Sequence, residues 1–375
     1  MKAAYIHIPF CEHICHYCDF NKVFLKGQPV DEYISLLIRE MELRLEEHHI
    51  AKMDTIFVGG GTPTSLNESQ LDKLCSGIRR HLPFSGGEFT FEANPGDMTA
   101  GQLKVLANYG VNRLSFGVQS FNDELLAAIG RTHRAGDVYK SIQLAQDAGF
   151  LNISIDLIYS LPGQTLDDFK STLQKALDLQ LPHYSGYSLI VEPKTVFYNL
   201  MRKGRLQLPG QDTEALMYEL LMEEMAKKGL VQYEISNFSA PGMESRHNLV
   251  YWNNEEYFGF GAGAHGYVNR TRYSNAGPLK KYMEPLRGDQ LPTFDSHEVT
   301  QKERMEEEMF LGLRKTAGVS IPLFEDKYGM HPMEVFPTSI KEMEQKELLE
   351  TENGRIRLTK KGRFLGNEVF QSFLI

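Results

Sequence analysis

The sequence predicts an α/β fold: a partial β/α barrel of six units, followed by a smaller α+β domain that resembles a winged helix. Strand-like apolar runs alternate with amphipathic helical stretches through roughly the first 230 residues. Such alternation calls for parallel strands joined by right-handed crossovers. A Gly- and aromatic-rich stretch follows, and Glu- and Lys-rich helices begin near Thr300. We therefore expect a barrel core at 1–235, a connecting region at 236–299 and a C-terminal domain at 300–375.

Six strands and the helices between them follow from local patterns. The predicted strands are 3–9, 55–58, 88–92, 113–118, 152–158 and 184–191. Between the first two, apolar residues at helical spacing follow a cap at Asp31. Asn67 stands three residues before Gln70, and Thr99 three before Gln102, which predicts reciprocal capping of two further helices.

Near the C-terminus the order of elements is helix, hairpin and helix. Residues 343–349 read as helical, Asn353-Gly354 as a two-residue turn, and 355–358 as a returning strand, with Thr359 capping another helix. The basic residues of this segment could suggest DNA. A solvated face is the better interpretation, because the whole chain is acidic.

Composition limits the classes of function. With 42% hydrophobic and 24% charged residues, the 375-residue chain has the values of a globular protein. The net charge of -9 disfavours nucleic acid as the principal partner, since binding to its backbone depends on Lys and Arg. No segment has the apolar length of a membrane span, and the start lacks a signal pattern, so we expect a cytoplasmic protein.

Three cysteines, Cys11, Cys15 and Cys18, fall within eight residues directly after the first strand. Three thiolates from one loop can hold an iron-sulfur cubane and leave one iron open for a small molecule. A Cys3His zinc site completed by His13, His16 or a distant histidine is the alternative. The fourth cysteine of the chain, Cys75, shares the spacing of apolar helix residues and is expected to be buried.

Unusual polar residues stand at strand ends, where the loops of a β/α barrel face one cleft. Gly59-Gly60-Gly61-Thr62-Pro63 ends the second strand, Glu92 the third and Gln119 the fourth, while Asp156 lies within the fifth. The glycines alone are a weak signal, because such turns also cradle phosphates or pack tightly. Their backbone allows close approach to a ligand such as a methionine amino group.

Taken together, these motifs resemble the radical S-adenosylmethionine (SAM) superfamily, and within it the HemN/HemW branch. The segments that carry the resemblance are 5–11, the C-x3-C-x2-C loop, 59–63, 91–95, 113–121 and 155–165. The resemblance spans nearly the whole chain. It implies that Cys11, Cys15 and Cys18 hold a [4Fe-4S] cluster that binds SAM.

The resemblance also assigns side chains to SAM. The positions that match those lining the family's SAM site are Tyr5, Gly60, Gly61, Thr62 and Glu92. Those that match positions contacting a SAM molecule, in HemN a second one, are Gln119, Arg131 and Asp156. These residue types suit the ligand, because Gln and Asp can bond ribose hydroxyls and Arg can clamp a carboxylate. The alternatives are a surface ion pair for Arg131 and a capping or core carboxylate for Asp156.

Three features favour the HemW side of the branch, which is described as a heme chaperone. Phe20 stands where HemN has a further cysteine, and Tyr5 lies almost at the start, without HemN's N-terminal extension. His247 to Trp252 matches the HNxxYW signature, and His247 with Trp252 are heme-binding candidates. A hydrogen-bonded histidine beside a core tryptophan is the alternative, and His265 is a second axial candidate.

The leading hypothesis is a chaperone that binds heme and delivers it to membrane respiratory proteins. The resemblance also implies a homodimer and peripheral membrane association, and leaves the electron donor and the enzyme status open. Oxidative decarboxylation of coproporphyrinogen III is the enzymatic alternative, disfavoured by Phe20 and the missing extension. A structural-zinc binding module is the third.

Overall fold

A computed structural model describes residues 3–46, 48, 50 and 52–374. Its strands are β1 Ala3–Ile8, β2 Phe10–Cys11, β3 Val23–Phe24, β4 Met53–Gly60, β5 Phe84–Ala93, β6 Arg113–Gln119, β7 Asn152–Tyr159, β8 His183–Ser188, β9 Val231–Glu234, β10 Asn237–Ser239, β11 Tyr257–Phe260, β12 His265–Val268, β13 Thr271–Asn275, β14 Thr293–Glu298, β15 Val319–Ser320, β16 Leu349–Glu352 and β17 Arg355–Leu358. Its α-helices are α1 Val30–Glu46, α2 Glu68–His81, α3 Ala100–Asn108, α4 Asp123–Ala128, α5 Ala135–Asp147, α6 Leu166–Asp178, α7 Val196–Arg202, α8 Gln211–Lys227, α9 Arg246–Trp252, α10 Leu279–Arg287, α11 Gln301–Gly312, α12 Ile321–Tyr328, α13 Pro332–Val335, α14 Pro337–Gln345, α15 Lys360–Phe364 and α16 Gly366–Gln371.

The six predicted strands are confirmed as a parallel array in the order β1-β4-β5-β6-β7-β8. The last of them ends at Ser188, three residues before the predicted end. Helix α1 begins at Val30, so Asp31 lies in its first turn instead of capping it. An acidic residue is favourable at either place, because both lie at the positive end of the helix dipole.

The sheet is larger than the sequence indicated. On one side β11 pairs in parallel with β1, and β12, β13 and β14 continue it in antiparallel order. On the other side β10 and β9 follow β8. The polypeptide between the barrel and the C-terminal helices therefore builds both edges of one sheet. The domain limits at 235 and 299 stay predictions.

Local capping follows the predicted pattern. Asn67 accepts a hydrogen bond from the N–H of Gln70 at 2.9 Å and returns one to its side chain at 3.1 Å. Thr99 and Gln102 form the same reciprocal pair. These two predictions are confirmed. Cys75 is fully buried in the face of α2 that packs on the sheet, also as predicted.

The C-terminal part has its own three-stranded sheet, in the order β15-β17-β16. Asn353 and Gly354 both have positive φ, as a tight two-residue turn between β16 and β17 requires. Thr359 caps α15, as predicted. The predicted helix over 343–349 is wrong in its second half, since α14 ends at Gln345 and Leu349 begins β16.

A separate apolar core lies beneath this small sheet. Its fully buried members include Met309, Phe324, Ile340, Ile356 and Phe373. In the described ranges, no helix has both the length and the apolar character that crossing a bilayer requires.

Candidate cofactor site

The cysteine loop leaves the carboxyl end of β1 and is closed by a short parallel ladder. Residue Phe10 in β2 pairs with Val23 in β3, and the N–H of Leu25 donates to the carbonyl of Cys11 at 2.8 Å. Cys11 is buried, while Cys15 and Cys18 are partly exposed. The three thiols therefore belong to one loop that is tied at its base.

The environment of these thiols suits an iron-sulfur cluster. Burial raises the pKa of the Cys11 thiol to about 11, because a bare thiolate there lacks compensation for its lost hydration. The hydroxyl of Thr62 donates to Cys11 Sγ at 3.7 Å and lowers that pKa in part. Nearby Cys15 and Cys18 raise it further, as negative charges close to each other do. A bound iron cluster would supply the missing positive charge, so the donor set fits the group.

A single-ion site has no such support. Within the described residues, no three His, Cys, Asp or Glu side chains are grouped closely enough to hold a metal ion. A cubane distributes its thiolates over separate irons, so this finding concerns the zinc alternative only.

The glycine turn after β4 is pressed against the cysteine loop. A Cβ on Gly60, whose φ is +116°, would meet His7 Cε1 at 2.5 Å. A Cβ on Gly61 would lie 2.9 Å from Cys11 Sγ and 2.8 Å from the carbonyl oxygen of Phe10. The two glycines are therefore already required by the packing of the protein itself.

Glu92 lies beside this turn and accepts the N–H of Gly60 at 2.9 Å. Burial raises its pKa to about 7; the charge of Asp156 adds to the rise, and the Gly60 bond and Arg131 oppose it. Tyr5 also interacts electrostatically with Glu92, and its hydroxyl bonds His7 Nδ1 at 2.9 Å. A carboxyl group with a raised pKa thus lies against the glycine turn that packs on the cysteine loop.

Arg131 connects the candidate residues of three neighbouring strands. Its guanidinium donates to Asn94 Oδ1 at 2.6 Å and to the Tyr17 hydroxyl at 2.8 Å. A Cβ on Gly117 would lie 3.0 Å from Arg131 Nη2 and 2.9 Å from Gln119 Nε2, so both side chains converge there. Gln119 is buried with a φ of +65°. Arg131 is therefore a partly buried residue held by neutral side chains, and within the described part of the chain it forms no surface ion pair.

Asp156 faces the same chamber from β7. Its carboxylate accepts a hydrogen bond from Ser115 Oγ at 3.4 Å, and burial raises its pKa above the usual range. Arg131 lowers the pKa values of Asp156 and of Glu92, so it lies close enough to influence both. The structure thus brings together the polar residues predicted at the strand ends. What each of them binds stays a prediction.

Two residues of this chamber were not assigned from the sequence. Tyr17 stands between Cys15 and Cys18, and Asn94 follows Glu92 by two positions. Both accept hydrogen bonds from Arg131. The only local signal for these two residues was their position beside recognised motif residues. Their shared partner, Arg131, lies more than thirty residues further along the chain, so a local pattern does not reveal the contact.

His247 lies in the first turn of α9, one ring away from the chamber, because Phe57 stacks on Tyr5 and Tyr251 interacts electrostatically with Tyr5 and Glu92. Its Nδ1 bonds Thr55 Oγ1 at 2.9 Å, its Nε2 bonds the Tyr251 hydroxyl at 2.8 Å, and its ring stacks on Phe57. Burial lowers its pKa to about 3, so the imidazole is neutral at physiological pH. Both ring nitrogens are occupied, and a heme iron would have to displace one of these partners.

Trp252 ends the same helix, at the contact with the C-terminal part. The guanidinium carbon of Arg314 lies 4.6 Å from the centre of the indole ring. His265 begins β12 and is exposed, close to the turn at Gly263 that packs against Asn21. His247, Trp252 and His265 therefore lie in three different surroundings, and the heme assignments stay predictions.

Comparison with known proteins agrees with this geometry. The profile of the radical SAM superfamily matches residues 5–176, and that of the HemN C-terminal domain matches 299–365. The solved structure of the radical SAM enzyme HemN, coproporphyrinogen III oxidase from Escherichia coli, aligns with a TM-score of 0.87 over 99% of this chain and 89% of that one. At 23% identity this likeness shows a shared fold.

Two relatives are similar over the whole chain. The heme chaperone HemW of Bacillus subtilis is 56% identical over 100% of this chain and 99% of its own length. That of Lactococcus lactis is 48% identical over 100% and 97%. The fold and the cysteine loop define a radical SAM protein, a class whose cofactors are a [4Fe-4S] cluster and SAM. Within that class the chain belongs to the HemW family.

Proposed function

We propose that this protein is a heme chaperone that carries a [4Fe-4S] cluster and SAM, binds heme and delivers it to respiratory heme proteins. The observation that carries the proposal is the full-length similarity, at 56% and 48% identity, to two proteins named as heme chaperones. The fold alone does not separate this function from that of HemN, since both share it.

The cysteine loop and the chamber beside it are proposed to hold the cofactors. Cys11, Cys15 and Cys18 would ligate the cluster. The SAM residues would be Tyr5, Gly60, Gly61, Thr62, Glu92, Gln119, Arg131 and Asp156. When bound, these cofactors supply one-electron chemistry at the SAM sulfonium. The protein supplies a carboxylate at Glu92 for an amino group and a guanidinium at Arg131 for a carboxylate.

Phe20 supports the chaperone over the decarboxylase. Its side chain is 58% exposed in the cysteine loop, so an apolar ring stands where HemN has a further thiol. Phe24, in the adjoining strand β3, is 56% exposed. Exposed aromatic rings on this loop favour contact with an apolar molecule such as a porphyrin.

Two histidines compete as the heme ligand, and their surroundings differ. The exposed ring of His265 has no side-chain hydrogen bond to another described residue, so it could bind iron without losing one. His247 would have to exchange its bond with Tyr251 or Thr55 for the iron, although its low pKa keeps a lone pair available at neutral pH. Trp252, five residues further on, has the Arg314 guanidinium over its ring, so a porphyrin would stack on the opposite face of the indole or displace that contact.

The test is heme titration of the anaerobically reconstituted protein, followed by visible absorption. Wild type should bind heme with a defined stoichiometry. His247→Gln keeps hydrogen-bonding capacity and His265→Ala removes the exposed ring, so the variant that loses the ligand-specific spectrum identifies the axial residue. His81→Ala in α2 is the matched control. Absence of heme binding by wild type would overturn the proposal.

A second assay separates the chaperone from the enzyme. The same preparation is incubated with coproporphyrinogen III, SAM and a reductant, and vinyl products are measured. We expect none, and vinyl formation would favour the decarboxylase. Delivery to membrane proteins further implies a cytoplasmic protein that contacts the membrane peripherally, and the family resemblance suggests a homodimer. Sedimentation and vesicle binding test these two points.

A further inference from the structure

A cleft of about 390 Å³ lies between the edge of the large sheet and the C-terminal helices. The turn between β12 and β13 and the end of β14 form one wall, and α11 and α12 form the other. Its charged lining consists of Arg270, Arg304, Lys327 and Glu298. None of these residues belongs to the chamber beside the cysteine loop, and the volume lies in the range of small-molecule sites.

Two guanidinium groups in this cleft have no acidic partner in the part of the chain that the structure describes. Lys327 donates to both carboxylate oxygens of Glu308, at 3.0 and 2.8 Å, and is neutralised. Arg304 lies 5.5 Å from the ring centre of Tyr328, and neither Arg304 nor Arg270 forms an ion pair with another of the residues that the structure describes. Two unpaired arginines facing one cleft are notable in a protein with a net charge of -9.

The backbone at Arg270 is strained. Asn269 and Arg270 form the two-residue turn between β12 and β13, with φ values of +49° and +62°. Glycine is favoured at the second position of such a turn, because a side chain there crowds its own backbone. The chain therefore has an arginine where glycine would fold at lower cost, and this arginine lines the cleft.

We propose that this cleft binds the phosphate group of a small anionic molecule. Guanidinium groups recognise phosphate through paired, charge-assisted hydrogen bonds, and two of them can hold one group from both sides. The carbonyl of Arg270 accepts the N–H of Val299 at 2.8 Å, which fixes the turn against the cleft wall. A bound anion would bridge the sheet edge and the C-terminal helices through Arg270 and Arg304.

The test is calorimetric titration of pyrophosphate into the reconstituted full-length protein at low ionic strength. We expect saturable binding that weakens at least tenfold in Arg304→Gln and in Arg270→Gly. Arg202→Gln, which removes an exposed arginine from α7, is the control and should bind like wild type. The melting temperature of ligand-free Arg270→Gly should equal or exceed that of wild type, because glycine relieves the turn, so its loss of binding is not a folding defect.

Three results would overturn the proposal. The first is the absence of saturable binding by wild type. The second is equal affinity of wild type and Arg304→Gln, which would show that the charge of this cleft is not used. The third is competition by succinate at the concentrations at which pyrophosphate binds, which would assign the site to carboxylates instead of phosphate.

Discussion

Replacing Glu92 by glutamine should change how the stability of the cofactor-free protein depends on pH. The carboxyl group has a pKa of about 7 in the folded protein, against an ordinary value of 4.5. Because the folded pKa is the higher one, the folded state holds the proton more tightly. The stability that this provides is fully present below pH 4.5 and is lost as the pH rises towards 7.

The size of the effect follows from that interval. A pKa difference of one unit corresponds to 1.36 kcal/mol, so the proton on Glu92 stabilises the folded state by about 3 kcal/mol at most. After a discount for the part of the side chain that water reaches, about 2 kcal/mol of this stability should be lost between pH 5 and pH 8. Glutamine keeps an oxygen for the Gly60 N–H but does not titrate. Glu92→Gln should therefore gain about 2 kcal/mol relative to wild type over this range.

Urea unfolding at several pH values, followed by the fluorescence of the chain's single tryptophan, measures this difference. Glu350→Gln, a change at an exposed carboxylate of the C-terminal hairpin, is the control and should leave the pH dependence close to that of wild type. Parallel stability curves for wild type and Glu92→Gln would show that the raised pKa assigned to this carboxyl group is incorrect.

Three further outcomes are expected. SAM binding at pH 6 should release up to about 0.9 proton from Glu92, and SAM binding at pH 8 almost none. Calorimetry in buffers of different ionisation enthalpy measures this release, and equal release at both pH values would contradict the prediction. Tyr17→Phe should weaken SAM binding several-fold, because the guanidinium of Arg131 loses its hydroxyl partner, while the iron and sulfide content stays unchanged. An unaltered affinity for SAM would show that the Tyr17 hydroxyl does not position Arg131 for binding. Arg314→Met should shift the emission of Trp252 and lower stability by about 1 kcal/mol, since the cation over the indole ring is lost, and unchanged emission would exclude that contact.

Local patterns were sufficient for the barrel and for the cysteine loop. The strands β1, β4, β5, β6 and β7 were predicted from β-branched runs, and the caps at Asn67 and Thr99 from residue type and spacing. Each of these signals lies within a few neighbouring residues. The end of α14 was missed because Leu349 continues the apolar spacing of a helix, although its backbone pairs with Leu358.

Contacts between distant parts of the chain could not be predicted in this way. Glu40 is fully buried in α1, where its carboxylate accepts the N–H of Gly261 at 2.8 Å and a bond from Tyr282 at 2.7 Å. Its ion pair with Arg44 is also buried. Gly261 and Tyr282 lie more than two hundred residues further on, and the spacing of Arg44 is that of many exposed helical ion pairs, so no local pattern distinguishes this glutamate from a solvent-exposed one.

The same limit applies to the heme motif. The HNxxYW signature predicted a functional histidine, and the structure shows that its spacing also serves folding, because His247 and Tyr251 stand one helical turn apart and bond each other. The N–H of His247 further donates to Glu88 at the start of α9. The residues of this motif therefore have a packing role that is sufficient to explain their spacing.

Charge gives a physical reason why the chamber beside the cysteine loop suits SAM, its proposed ligand. Burial raises the pKa values of Glu92 and Asp156, and the charge of Asp156 raises that of Glu92 further. The guanidinium of Arg131 lowers both pKa values. Two carboxylates and one guanidinium sum to one negative charge when ionised. SAM carries a sulfonium, an amino group and a carboxylate, which sum to one positive charge. SAM bound in this chamber, as proposed, would complete a charge balance that the folded protein leaves open, and the proton that Glu92 holds near neutral pH in its absence would be the measurable sign of that imbalance.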